Sequence, residues 1–507
     1  MLKRRSFSWI AFAGIALASA GCMVGPNYKR PSAPAPPAFK EQPPENFKEA
    51  SAEGWKQSQP GDAYAKGKWW EVYNDPALNA LEEQVGISNQ NVQQAEALYR
   101  QAKGAVGVAH AALFPVITTA PSISASQSGG GGSGFVSNGN VVGNGAGAAS
   151  ASSAIRTSYV FPFDVSWAPD LWGNIRRGVT ANINNAQALA ADVENARLLY
   201  QAELAQDYFG LHGIDAQVAL LARTEASYEE FLTLTRNRFA AGVASGLDVS
   251  QAQTQLYDLQ SQLIDLGVQR AAYEHAIAIL IGKPPAELTI PTVELRTPPP
   301  AVPVELPSEL LERRPDIAAA ERRVAAANEQ IGIAMAAFFP TLNLGGSAGF
   351  ASSSIGKLIS WPSRFWSVGP QLAETLFDAG RRRSVVAEQR AAYDASVAAY
   401  RQTVLTAFQQ VEDNLAALRI LENESAKVGE TIDAAGQTLR ISSVQYQAGT
   451  ADYLTVITAQ ASLLNAQRTA VALLTRRDVA SVALIEALGG GWRASELPSA
   501  QQVRSKS

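Results

Sequence analysis

Residues 91–115 read NVQQAEALYRQAKGAVGVAHAALFP, and residues 316–340 read DIAAAERRVAAANEQIGIAMAAFFP. Set 225 positions apart, they share nine identities in 25: Ala95/Ala320, Glu96/Glu321, Ala102/Ala327, Gly107/Gly332, Ala109/Ala334, Ala111/Ala336, Ala112/Ala337, Phe114/Phe339 and Pro115/Pro340. Alanine bias inflates the count, but a Phe-Pro stop in the same place is no effect of alanine. A second pair of stretches, 238–256 and 445–463, aligns at an offset of 207 with eight identities in 19. Among them are Gly242/Gly449, Leu247/Leu454 and Gln253/Gln460. The offsets differ by 18, and the run Gly129–Ser150, dense in Gly, Ser and Asn, accounts for the difference. It reads as a flexible loop that the second copy largely lacks. The chain is therefore a tandem duplication.

Working outward, each copy has one order: helix, Phe-Pro, strand, loop, strand, very long helix, tight turn, helix. Asp75-Pro76 reads as N-cap and N1, opening a helix through about Leu113. The strands alternate. Phe161, Phe163, Val165 and Trp167 share a face opposite Asp164 and Ser166. Trp366, Val368 and Leu372 oppose Ser367 and Gln371, Leu342 and Leu344 flank Asn343, and Ile117 and Ile123 are weaker counterparts. An apolar, aromatic-bearing face backed by a polar one fits a transmembrane barrel, with half of a soluble sandwich as the alternative. Leu171–Ala241 and Leu376–Ala448 then run almost without a helix breaker, with Gly210 and Gly213 as candidate bends. About 71 helical residues span about 105 Å, more than a globular domain needs. The returning helices carry near-heptad seams, Leu256, Leu259, Leu263 and Leu266 in one and Leu454, Ile457, Ala461 and Leu464 in the other. Four strands cannot close a barrel, so at least two chains must contribute; three would supply twelve.

Lys3, Arg4 and Arg5 precede an apolar run, Trp9–Leu17, and Ser19-Ala20-Gly21-Cys22 follows. This is the anatomy of a lipoprotein signal, with Cys22 as acyl acceptor; an ordinary secretory signal is the alternative. The mature chain holds no apolar run of transmembrane-helix length. Among 507 residues, 42 Lys+Arg against 46 Asp+Glu give a net charge of −4, which argues against a nucleic-acid partner. One Cys excludes a disulfide framework, three scattered His speak against a metal site, and three Met leave no thioether pathway. No cofactor is expected. No nucleophile–base pair or phosphate loop appears, so an enzyme is not expected.

The chain resembles the outer-membrane efflux proteins of the TolC/OprM type, in their lipid-anchored branch. The carriers are Gly25-Pro26-Asn27-Tyr28-Lys29-Arg30-Pro31, Trp69-Trp70 with Asp75-Pro76, and Asp170-Leu171-Trp172-Gly173 with Arg176-Arg177. Leu311-Glu312-Arg313-Arg314-Pro315-Asp316, Phe377-Asp378-Ala379-Gly380-Arg381-Arg382 and Tyr446-Gln447-Ala448-Gly449-Thr450 complete the set. The resemblance implies a mainly α fold with a transmembrane β-barrel part: a homotrimer with a twelve-stranded barrel continuous with a long periplasmic α-helical barrel. It implies a passive conduit for drugs or other small molecules, with a periplasmic membrane-fusion adaptor and a proton-driven inner-membrane transporter as partners. The outer channel of a type I protein-secretion system and a non-pore coiled-coil lipoprotein stand as alternatives.

On this reading residues 1–21 are the signal peptide and 22–74 an acylated tether with an equatorial segment. The first repeat is 75–283, a Pro-rich linker 284–306, the second repeat 307–488, and 489–507 a C-terminal equatorial tail. Outer-membrane lipid is expected around the barrel and at Cys22. The helix turns at Gly242 and at Gly449-Thr450 are the expected periplasmic tips, where an adaptor or pump would touch. Asp248, Tyr446 and Asp452 are the gate candidates the resemblance supplies; an N-cap role for Asp248 and helix packing for Tyr446 are the plainer readings. Thr455 and Thr458 stand where the TolC type carries carboxylates. Arg176-Arg177 and Arg381–Arg383 are expected to fix the strand-to-helix bends or to meet phosphate.

Overall fold

A computed structural model describes residues 23–41, 68–127, 155–295, 298–300 and 312–505. Cys22 and the Gly129–Ser150 loop lie outside the described residues. After a short 3-10 turn at Trp69–Tyr73, α1 (Pro76–Ser88) and α2 (Gln90–Ala111) open the first repeat. Asp75 accepts from the backbone N–H of Ala77 and Leu78, and Pro76 takes the first helical position, where its missing N–H costs nothing. The single helix expected from 75 to about 113 is two. Asn89 interrupts it with extended backbone and caps the second piece, accepting from Asn91 and Val92 while its amide donates to the Leu280 carbonyl.

Phe114 closes α2 by bonding back to Ala111, and Pro115 hands the chain to β1 (Val116–Thr119). β2 (Ser122–Gln127), β3 (Ile155–Trp167) and α3 (Asn174–Ala240) follow, then α4 (Gly246–Leu280). The second repeat runs α5 (Pro315–Ala336), β4 (Thr341–Ser352), β5 (Arg364–Ala373), α6 (Arg381–Gln447) and α7 (Tyr453–Ala487). A short α8 (Ala500–Arg504) ends the description. Phe339 bonds back to Ala336, repeating the Phe114 turn. α3 and α6 have 67 residues each. Both start a few residues later than the sequence suggests. Gly173 and Gly380 take left-handed backbone just before them, and Asp170 and Asp378 accept from the N–H groups of Arg176 and Arg382.

The strands form one antiparallel sheet in the order β1-β3-β4-β5, with β2 also on β3. β1 and β2 occupy successive stretches of one β3 edge, so they act as a single strand broken at Ala120-Pro121. The register sets Phe161 opposite Phe350, Phe163 opposite Ala348, Val165 opposite Gly346, and Trp167 opposite Leu344. It continues with Leu342 opposite Leu372 and Gly346 opposite Val368. Because side chains alternate, one face carries Phe161, Phe163, Trp167, Phe350, Trp366 and Leu372, with Arg364 at its turn end, and the other carries Asp164, Ser166, Ser347, Ser367 and Gln371. Among the described residues, the outer edges of β1 and β2 and of β5 pair with nothing.

The chain divides into two units. The first, drawn from 1–28, 105–182 and 327–392, holds the sheet. Within it Trp167 donates to the Leu113 carbonyl and Trp172 to that of Pro340, tying each Phe-Pro stop to the neighbouring strand end. The second unit, from 29–104, 183–326 and 393–507, holds a core from α3, α4, α6 and α7 that includes Leu221, Leu232, Leu256, Leu259, Val456 and Leu464. α3 runs unbroken through Gly210 and Gly213. A Cβ at Gly210 would fall 2.7 Å from the Tyr273 ring, and one at Gly213 would clash with Thr475. Both glycines admit a neighbouring helix. The stretch after α4 is pinned by Asp215, which accepts from Arg270 at 2.7 Å and from the Val293 N–H at 3.1 Å.

Candidate functional site: the helix-turn tips and the N-terminal cradle

Both tips end their long helix in the same way. Gly242 (φ 77°) and Gly449 (φ 78°) sit in the left-handed region. Val243 N–H reaches back to the Arg238 carbonyl and Gly242 N–H to that of Phe239; Thr450 and Gly449 repeat this on Gln445 and Tyr446. Each is a Schellman turn, which satisfies carbonyls the helix end would leave orphaned. A Cβ at Gly242 meets nothing within 4 Å, so conformation rather than space requires glycine there.

Past the turns the tips differ. Ser245, not Asp248, is the N-cap of α4. Its hydroxyl accepts from the Asp248 N–H at 3.2 Å while the Asp248 carboxylate accepts from the Ser245 N–H at 3.0 Å. The expected N-cap Asp is thus the third helical residue of a capping box. Asp452 holds the equivalent N-cap place on α7, is exposed, and makes no side-chain capping bond. Thr455 is exposed and Thr458 returns its hydroxyl to the Leu454 carbonyl, so neither position adds a carboxylate to the second tip.

Tyr446 is 3% exposed and packed inside its own chain. Its ring lies 5.2 Å from that of Tyr453, and its hydroxyl donates to Thr235 across a long 3.5 Å. The Arg238 guanidinium covers its face at 4.7 Å and donates to the Gln447 carbonyl at 2.9 Å. Sequence reading missed Arg238; the one local signal was a basic residue in the last turn of a helix, where it suits the dipole. Burial, reinforced by Tyr446, Tyr228 and Asp248, pushes the Tyr453 hydroxyl up to about 12. Phe239, the counterpart of Tyr446 in the first repeat, is half exposed, as are Val243, Leu247 and Leu454.

In the first unit, the segment following Cys22 lies in a cradle. Val24 N–H donates to the Trp172 carbonyl, and Arg177 Nε donates to the Val24 carbonyl at 2.6 Å. Arg177, 1% exposed, is fixed by Glu329 at 2.7 Å. Gly25 (φ 105°) lies against Gly332, and a Cβ on Gly332 would strike the Arg177 side chain. Arg176 and Arg382 pair with Asp170 and Asp378 at the strand-to-helix bends, whereas Arg381 and Arg383 are exposed.

Among the described residues, no group of three or more His, Cys, Asp or Glu could hold a metal, and no helix is long and apolar enough to cross a membrane. What the residues do supply is a sheet with an apolar face and two unpaired edges, together with paired long helices. That combination defines a pore-forming outer-membrane subunit with helical hairpins. The chain belongs to the outer membrane efflux protein family, which matches residues 81–283 and 306–490. It is 30% identical over 489 residues to the probable efflux pump outer membrane protein TtgC of Pseudomonas putida KT2440, covering 96% of each chain. It is equally similar to the antibiotic efflux pump outer membrane protein ArpC of Pseudomonas putida. The structure of the outer-membrane channel OprN superposes with a TM-score of 0.81 at 28% identity, over 93% of this chain and 100% of that one. The chain is thus an outer-membrane efflux channel component and not an enzyme.

Proposed function

We propose that three copies of this chain join their sheets edge to edge into a twelve-stranded barrel, and that the assembly passively conducts drugs or other small amphiphiles out of the cell. The observation that carries this is the sheet itself. Its aromatic face suits hydrocarbon, its Asp164–Ser166–Ser347–Gln371 face suits water, and its two free edges require partners of the same kind. A periplasmic membrane-fusion adaptor links the channel to a proton-driven inner-membrane transporter, which supplies the energy. Exposed Phe239, Val243, Leu247 and Leu454 around Gly242, Gly449 and Thr450 offer the adaptor or pump an apolar landing surface. Cys22, two residues before Val24 of the Arg177 cradle, carries the lipid anchor.

The gate is the tip end, where three copies of Asp248 and Asp452 gather negative charge while Tyr446 and Arg238 brace the helices. Purified trimers in planar bilayers test this. Tyr446→Phe combined with Asp248→Ala should raise single-channel conductance and lower cation selectivity. Unchanged values with intact trimers would remove both residues from the gate. Cys22→Ser should abolish acyl labelling and leave trimers assembled.

A further inference from the structure

The hairpin between β4 and β5 spans residues 341–373 and contains no Asp or Glu, only the cations Lys357 and Arg364. Its turn, residues 353–363, lies at the opposite strand ends from those joined to α5 and α6. The turn has a definite shape. The Lys357 carbonyl accepts from Ser360 Oγ at 2.8 Å and Ser363 Oγ at 2.7 Å, and Lys357 and Leu358 N–H bond back to Ser354 and Ile355. That shape holds Ile355, Ile359 (81% exposed) and Trp361 (77% exposed) away from the chain. Arg364 lies over the Trp361 ring and donates Nε to the Trp361 carbonyl, leaving its terminal amino groups for something else. Arg364 also stands opposite Phe350, which places it on the aromatic, hydrocarbon-side face of the sheet.

Apolar side chains displayed by an ordered turn beside unopposed cations require a partner that is apolar and anionic at once. Resting on the barrel reading above, we infer that this turn is a docking surface for phosphate-bearing glycolipid of the outer leaflet. Trp361, Ile355 and Ile359 enter the acyl boundary, and Lys357 and Arg364 hold the headgroup phosphates. Two observations favour lipid over a second copy of the chain: the patch continues the membrane-facing side of the sheet through Arg364 and Trp366, and it carries charge of one sign with no carboxylate on the hairpin to answer a like surface.

The test uses full-length trimers reconstituted in phosphatidylcholine vesicles with or without bisphosphorylated lipid A. Wild-type trimers should resist heat dissociation better with lipid A present and retain it through detergent extraction. Replacing Lys357 and Arg364 by Gln should reduce retained lipid A about fivefold for each cation removed, with unchanged single-channel conductance. Lys357→Gln alone, at an exposed position with a free side chain, gives the same reading should the double variant assemble poorly. Equal lipid A retention by variant and wild type overturns the inference while leaving the channel intact. Variant trimers that fall apart equally without lipid A also overturn it, because the turn then joins copies. Wild type without conductance in either vesicle type overturns the barrel reading, and this inference with it.

Discussion

At the first tip, Ser245 and Asp248 satisfy each other's backbone N–H groups; at the second, Asp452 stands at the same place and its side chain bonds to nothing in the helix. The second tip has a different brace. Arg238, from the first repeat, donates across to the Gln447 carbonyl and covers the Tyr446 ring. Its counterpart Gln445 returns no such contact to the first repeat. The lesson is that a duplicated turn keeps its backbone geometry, which only Gly242 and Gly449 can supply cheaply, while its side-chain fastening is free to diverge. One tip is closed by its own cap, the other by a cation borrowed from its neighbour.

The sharpest way to break this comparison is Arg238→Ala. It removes a charged hydrogen bond and a cation–π contact, together about 2–3 kcal/mol. Amide exchange should accelerate around residues 440–456 far more than around 236–250. Equal acceleration at both tips would mean that Arg238 braces neither in particular. Next, Gly449→Val and Gly242→Val should each cost roughly 1–2 kcal/mol of local stability, because a β-branched residue resists left-handed backbone. Here the tips should respond alike, and a large difference would refute their common geometry. Ser245→Ala should cost about 1 kcal/mol at the first tip, whereas Asp452→Ala should change local exchange by no more than a few tenths. Tyr446→Phe should likewise cost no more than a few tenths of a kcal/mol, given a hydroxyl contact at the outer limit of a hydrogen bond.

The Tyr453 hydroxyl adds an effect that is absent at neutral pH. Tyr453 is raised from 10.0 to about 12, so folded and unfolded chains both keep its proton below pH 10. Above that the unfolded form ionises first, and the second tip loses stability progressively as the pH approaches 12. Tyr453→Phe should flatten that alkaline loss in exchange measurements. The first tip, with Gly246 at the equivalent place, should show no such dependence.

Much of the fold was legible because its signals are local or repeated. The Phe114-Pro115 and Phe339-Pro340 stops, the alternation in β3 and β5, and the tip glycines each act within a few residues. What was missed depends on distant partners. The packing role of Gly210 and Gly213 was hidden because Tyr273 and Thr475, which crowd them, lie far along the chain. The break at Asn89 was hidden by apolar periodicity that runs across it, and its amide is fixed by a carbonyl 191 residues away. At the tips, the glycine turns could be placed from sequence, but Arg238 could not, since its acceptor lies 209 residues on. The plainer reading of Asp248 put it at the N-cap, three positions from its place, because Ser245 and Asp248 are both good capping residues and only geometry separates N-cap from third position.

The cradle around Val24 sets an order of events during synthesis. Val24 is held by Arg177, 153 residues later, and Arg177 is held by Glu329 after a further 152. Asn328 then grips the Pro26 carbonyl across 302 residues. The segment around Val24, made early, is therefore among the last to be fixed. It must wait until α5 has been made and delivered to the same place, because loop closure over such separations cannot precede the synthesis of both ends.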